Sequence, residues 1–211
     1  MPHLVAKPYP NSIQAMRIRV AVKTLVLALF VGGTTGCGYK RIQQLDEAAA
    51  KAKQNISVQL QRRADLVPNL VETVKGYAKQ EAEIFEAVAQ ARGALAGAVS
   101  SGNLGQMSSA STQLNGALGR LLAISESYPQ LKSNENFIRL QDELAGTENR
   151  IGVARTDYNT TVNEYNTYIR TFPAVLTAKV MGSAAREYFE LADKAAAAPP
   201  KVDFSQPAKK P

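Results

Sequence analysis

The chain has 211 residues, a formal net charge of +7 and a single cysteine. That length suits one domain with a tail, and a folded part of about 150 residues can bury roughly 70% of its unfolded surface. One cysteine excludes an intrachain disulfide, and the basic balance does not imply nucleic-acid binding, because it is concentrated in the leading residues and forms no basic block with interleaved aromatics.

Residues 1–15 hold three prolines and no periodicity. They read as an over-extended start, with Met16 as the initiator. Residues 16–36 read as a signal peptide. Arg17, Arg19 and Lys23 form a positive n-region, Thr24–Val31 an apolar h-region, and Gly32–Cys37 a small-residue cleavage region. The apolar run is shorter than the roughly 20 residues that span a bilayer. Lys7, Arg17, Arg19 and Lys23 precede Cys37 and no acid does. The remaining 21 basic and 18 acidic residues give +3, an ordinary solubilising charge.

Thr34-Thr-Gly-Cys37 resembles the lipobox of bacterial lipoproteins. Thr34 stands where that pattern usually has leucine. The resemblance implies cleavage before Cys37, a diacylated Cys37 thiol and stable anchoring by two or three chains. Gly38 is not the aspartate that retains many lipoproteins at the inner membrane, so a two-membrane organism would place the chain at the outer one. The other reading is an unmodified cysteine in a short hydrophobic anchor, that is, a single-pass membrane protein.

From Cys37 onward the apolar spacing predicts helix. Ile42, Leu45, Ala49, Ala52 and Ile56 mark a first helix over about 39–64. Pro68 disfavours helical geometry at Val67, so Asp65 is predicted to cap a second helix carrying Leu66, Leu70, Val74, Tyr77, Ile84, Val88, Ala91 and Leu95 to about residue 98. Gly102, Asn103 and Gly105 mark a loop. A third helix has four-three spacing over Met107, Ser111, Leu114, Leu118, Leu121, Ser125 and Tyr128, and stops at Pro129. Ser133 or Asn134 can cap a fourth, which carries Phe137, Leu140, Leu144, Ile151, Ala154, Tyr158, Val162, Tyr165 and Ile169 and ends at Phe172-Pro173. Residues 174–194 predict one more short amphipathic segment, and 195–211 an Ala/Pro-rich disordered tail. The expected fold is all-α: an antiparallel up-and-down four-helix bundle over 37–194 with a short extra C-terminal helix. An extended coiled-coil dimer is the alternative.

Several segments resemble LemA-family proteins: Gln59-Leu-Gln-Arg-Arg-Ala-Asp-Leu-Val-Pro-Asn-Leu-Val71 through Tyr77; Tyr128-Pro-Gln-Leu-Lys132 with Asn134 and Phe137; and Thr147-Glu-Asn149. Ala154-Arg155, Tyr158-Asn159, Tyr165-Asn166, Phe172-Pro173 and Tyr188-Phe-Glu190 extend the match over about 39–190. Gln80 stands where a histidine is common. The resemblance implies an antiparallel helical bundle behind an N-terminal membrane segment in a bacterial envelope, and no particular reaction.

After Cys37 there is no histidine, cysteine or tryptophan. That removes nucleophile systems built on histidine, zinc sites with nitrogen or sulfur ligands, and the Glu-x-x-His pairs of di-iron bundles. No phosphate-binding glycine loop occurs. No enzyme activity, cofactor or metal is expected. Three constellations remain. Arg62, Arg63, Asp65, Asn69 and Glu72 around Pro68 read as capping and a turn-fixing ion pair, or as a partner-docking surface. Tyr158, Asn159, Tyr165 and Asn166, repeated at seven residues, read as interhelical packing, or as a polar groove for a peptide or lipid head group. Lys132, Asn134, Arg139 and Arg155 read as a solvated face. The expected function is a membrane-anchored, non-catalytic envelope scaffold or interaction module facing the periplasm, with an envelope protein as partner. The alternative is a lipid or small-ligand carrier using a groove between helices.

Overall fold

The computed structural model describes the chain from Ser12 to Glu190. The side chains of residues 12–15, 18 and 24–37 lie outside that description, so the Cys37 thiol does too. The proposed start, except the backbone of 12–15, and the tail 195–211 also lie outside it.

Among the described residues six helices form: α1 (Ser12–Lys75), α2 (Ala82–Ser101), α3 (Leu104–Ala123), α4 (Pro129–Lys132), α5 (Glu135–Tyr168) and α6 (Ala174–Met181). A 3-10 turn, Ile124–Ser127, follows α3. Among the described residues there is no strand, and the fold is an all-α helical bundle. The chain divides into two compact units. The first joins residues 1–47 to 164–186; the second joins 48–163 to 187–211.

The second unit holds the main core. Ile56, Leu60 and Leu70 of α1, Val88 and Leu95 of α2, Met107, Leu114 and Leu121 of α3, and Phe137, Ile151 and Val162 of α5 are all buried in one cluster. The strict four-three register of α3 explains its face: Met107, Ser111, Leu114, Leu118, Leu121 and, in the following turn, Ser125 are all buried. All nine apolar positions predicted for the fourth helix are buried as well. Helix ends follow local chemistry. Gly102 closes α2 with φ +66°, a left-handed conformation that costs glycine nothing. Asn103 Oδ1 accepts the Gln106 amide at 2.9 Å to start α3. Asn134 Oδ1 accepts the Phe137 amide at 3.0 Å to start α5.

The first unit has its own small core of Ile42, Leu45, Tyr165, Ile169 and Ala178. There α6 rests on alanines, Ala174 and Ala178.

Two predicted boundaries are corrected. The chain does not turn at residues 65–68: α1 runs through Pro68 to Lys75, and the turn comes at 76–81. A proline inside a helix deprives the carbonyl four residues earlier of its N–H partner, at a cost of about 3 kcal/mol or more. Here that carbonyl, Ala64 O, accepts a 2.9 Å hydrogen bond from Arg92 Nε on α2. Asp65 is therefore no cap; it accepts from Gln61 Nε2 at 2.9 Å within the helix. The second correction is at the other end. Residues 183–190 are not helical but irregular, although the composition around Tyr188 and Phe189 predicts an amphipathic segment.

Candidate interaction surfaces and the polar core

With no turn at Pro68, the first constellation is a set of positions along one helix. Arg62, Asp65, Asn69 and Glu72 are spaced three, four and three apart, lie on one face of α1 and are exposed. Arg62 and Asp65 also line an open groove of about 510 Å³ with Gln54, Ser57, Val58 and Gln61 of α1 and Val99 of α2. Val58 is 51% exposed there. Glu72 pairs with Lys75 at 3.1 Å, a solvent-exposed contact of little energetic weight.

Arg63 faces the other way. It is 6% exposed and pairs with Glu148 of α5. Burial, and secondarily the charge of Arg155, lower its pKa from the ordinary guanidinium range to about 10. Arg155, half-buried on α5, is also pushed below its ordinary value by burial. It donates to Ser111 Oγ at 3.1 Å, and its guanidinium lies 4.8 Å from the centre of the Phe189 ring. Arg63 Nε, Arg155 Nε and Gln59 Oε1 are buried without a protein hydrogen-bond partner. The constellation read as a solvated face is thus split. Lys132 pairs with Glu126 at the surface, Asn134 caps α5 and donates to Tyr77 Oη at 2.9 Å, and Arg155 belongs to the interior.

The two tyrosine–asparagine pairs hold the chain's own irregular segment. In the second unit, Asn159 Nδ2 donates to Phe189 O at 3.1 Å while the Phe189 amide donates to Asn159 Oδ1 at 2.8 Å. Tyr158 Oη donates to Glu187 O at 2.9 Å, and Ser108 Oγ to Glu190 O at 2.8 Å. Phe189 enters the main core at 5% exposure. In the first unit, Asn166 Nδ2 donates to Arg186 O at 2.9 Å and its Oδ1 accepts the Arg186 amide at 2.8 Å. Arg186 then donates to Asp46 Oδ1 at 2.8 Å and stacks over Tyr165. Each asparagine presents a donor and an acceptor in the pattern of a backbone amide, and so substitutes for a neighbouring strand.

Of the candidate positions, Tyr158, Asn159 and Asn166 clamp the chain at residues 186–189, Arg63 and Arg155 make contacts in the interior, and Arg62, Asp65 and Asn69 stay exposed. A family profile described as the LemA family matches residues 52–204. The chain belongs to the LemA family. Among its relatives are magnetosome proteins MamQ 1 and MamQ 2 of Paramagnetospirillum magneticum, strain AMB-1. Each is 29% identical over 178 residues, covering 72% of this chain and 64% of the relative. Magnetosome protein MamQ of Magnetospirillum gryphiswaldense is 28% identical over 197 residues, covering 82% of this chain and 72% of the relative. The chain thus spans under two thirds of the length of the first two.

In this LemA-family chain no described group of three histidine, cysteine, aspartate or glutamate residues can hold a metal ion. Among the described residues no helix is long and apolar enough to cross a membrane. The other grooves along α2 and α3, about 600 and 340 Å³, are open troughs lined by small residues such as Ala94 and Gly97. Sequence reasoning missed Arg92, whose role depends on a carbonyl 28 residues away. It also missed the docking of residues 186–190, although the repeated asparagines were the available signal.

Proposed function

We propose that this LemA-family chain is a membrane-anchored, non-catalytic module of the bacterial envelope that binds or scaffolds another envelope protein. Family membership supports a membrane-associated envelope protein without an assigned reaction. The observation that carries the interaction reading is the exposed α1 face, where Arg62, Asp65 and Val58 border an open groove and offer charge of both signs beside apolar surface. The lipobox-like segment supports anchoring through Cys37, with the periplasm as the compartment faced.

A photo-crosslinker at Val58, used in intact membranes, tests this. The expected result is a discrete adduct that is lost in Arg62→Ala and weakened in Asn69→Ala, while the helical content is unchanged. Adducts that persist equally in both variants would remove this face from the proposal.

A further inference from the structure

Helix α6 carries its apolar residues on the wrong side for a helix that serves only its own core. Its buried positions are alanines, Ala174 and Ala178. Val175 and Met181 are half-buried, but three apolar residues larger than alanine are outside: Leu176 is 58% exposed and Val180 90%, and Phe172, four residues before Leu176, is 76% exposed. Leu176 and Val180, four apart, share one helical face. Folding gains most by burying the larger side chain. Alanine inside with leucine, valine and phenylalanine outside forgoes that gain unless the exposed face meets a second apolar phase.

Charge and position identify that phase. No acid occurs between Glu164 and Glu187, and Arg170 and Lys179 are exposed beside the apolar residues. On α1 of the same unit, Lys40 and Arg41 are exposed. From Cys37 onward, residues 37–47 and 164–186 contain five basic and three acidic residues, and Arg186 is paired with Asp46. A Cβ placed on Gly38 would lie 3.4 Å from Thr177 Oγ1, so α6 packs against α1 at the residue that follows Cys37. A second copy brought to this face would set Arg170, Lys179, Lys40 and Arg41 against their own like charges. An anionic lipid surface complements them.

We propose that α6 is an interfacial membrane contact, with Phe172, Leu176 and Val180 entering the boundary between headgroups and acyl chains while Arg170, Lys179, Lys40 and Arg41 meet anionic headgroups. The proposal deepens the membrane-anchored reading and rests on it. It gives the first unit two attachments to lipid, the N-terminal segment and α6.

The chain has no tryptophan, so Phe172→Trp in the full chain supplies a single reporter. The vesicles are phosphatidylcholine with about one third phosphatidylglycerol, some carrying acyl chains brominated just below the headgroup. The expected result is a blue-shifted emission from the introduced indole, quenched by the brominated lipid. Adding Leu176→Glu with Val180→Glu should restore an aqueous, unquenched spectrum while the chain still floats with the vesicles. Val180→Trp is the second reporter if Phe172→Trp does not fold. Flotation with an unquenched reporter overturns the proposal and leaves the anchor intact. A reporter shielded without lipid, in step with a doubling of molecular size, overturns it in favour of a dimer contact. Failure to float at all removes the membrane-anchored reading, and this proposal with it.

Discussion

At the scale of single residues, the interior of the second unit shows how a helix can run through a proline. Pro68 leaves Ala64 O without its helical donor, and Arg92 Nε supplies one. The energetic consequence is a coupling between two positions 24 residues apart in sequence. Arg92→Ala strands a carbonyl and should cost about 1–2 kcal/mol in urea unfolding. In a Pro68→Ala background the helix donates its own N–H to that carbonyl, so the same change should cost markedly less. Additive losses around this double-mutant cycle would show that Arg92 acts elsewhere. The sequence alone pointed to a break at this proline because the rule for interior proline takes the helix in isolation. The compensating guanidinium was a tertiary fact, held on another helix. Arg63 illustrates the same gap. Its place in a run with Arg62 suggested a surface, whereas the helical phase turns it inward to Glu148.

At the scale of elements, legibility followed periodicity. Helices α3 and α5 were readable residue by residue because four-three spacing of apolar groups leaves one face to bury, and every apolar position predicted for α5 is buried. The segment 183–190 was not readable, because an irregular chain held by side-chain amides has no periodic signature of its own. Its signal lay in the receiving helix, in Asn159 and Asn166. Replacing Asn159 by alanine leaves the Phe189 amide and carbonyl unpartnered and should cost about 1–3 kcal/mol, with fast amide exchange confined at first to the 187–190 segment. Asn159→Asp keeps the acceptor for the Phe189 amide but sets an anion against its carbonyl, so an intermediate loss is expected. Unchanged exchange at Phe189 in the alanine variant would refute the clamp.

At the scale of the whole molecule, the fold class and the family were present in the sequence, while the arrangement of its candidate sites was not. The α1 constellation survives as four exposed positions with Arg63 removed. The tyrosine–asparagine groups prove to be engaged by the chain itself. The anchor is a matter of processing, and it has a direct measurement. Mass spectrometry of the mature chain should find an N-terminus at Cys37 carrying acyl chains, and Cys37→Ser should retain residues 16–36. A wild-type chain that keeps that segment without acylation would be a single-pass protein instead. The docking of 187–190 also governs how this region can vary among relatives. Asn159, Tyr158 and Ser108 grip main-chain groups, which every amino acid except proline supplies alike, while Tyr188 Oη adds a side-chain bond to Asn163 Oδ1 at 3.3 Å. The count of residues is another matter. One residue gained or lost between Glu187 and Phe189 would carry the phenyl ring out of the core and leave the amide grips on the wrong peptide units. This stretch should therefore reject any change in length.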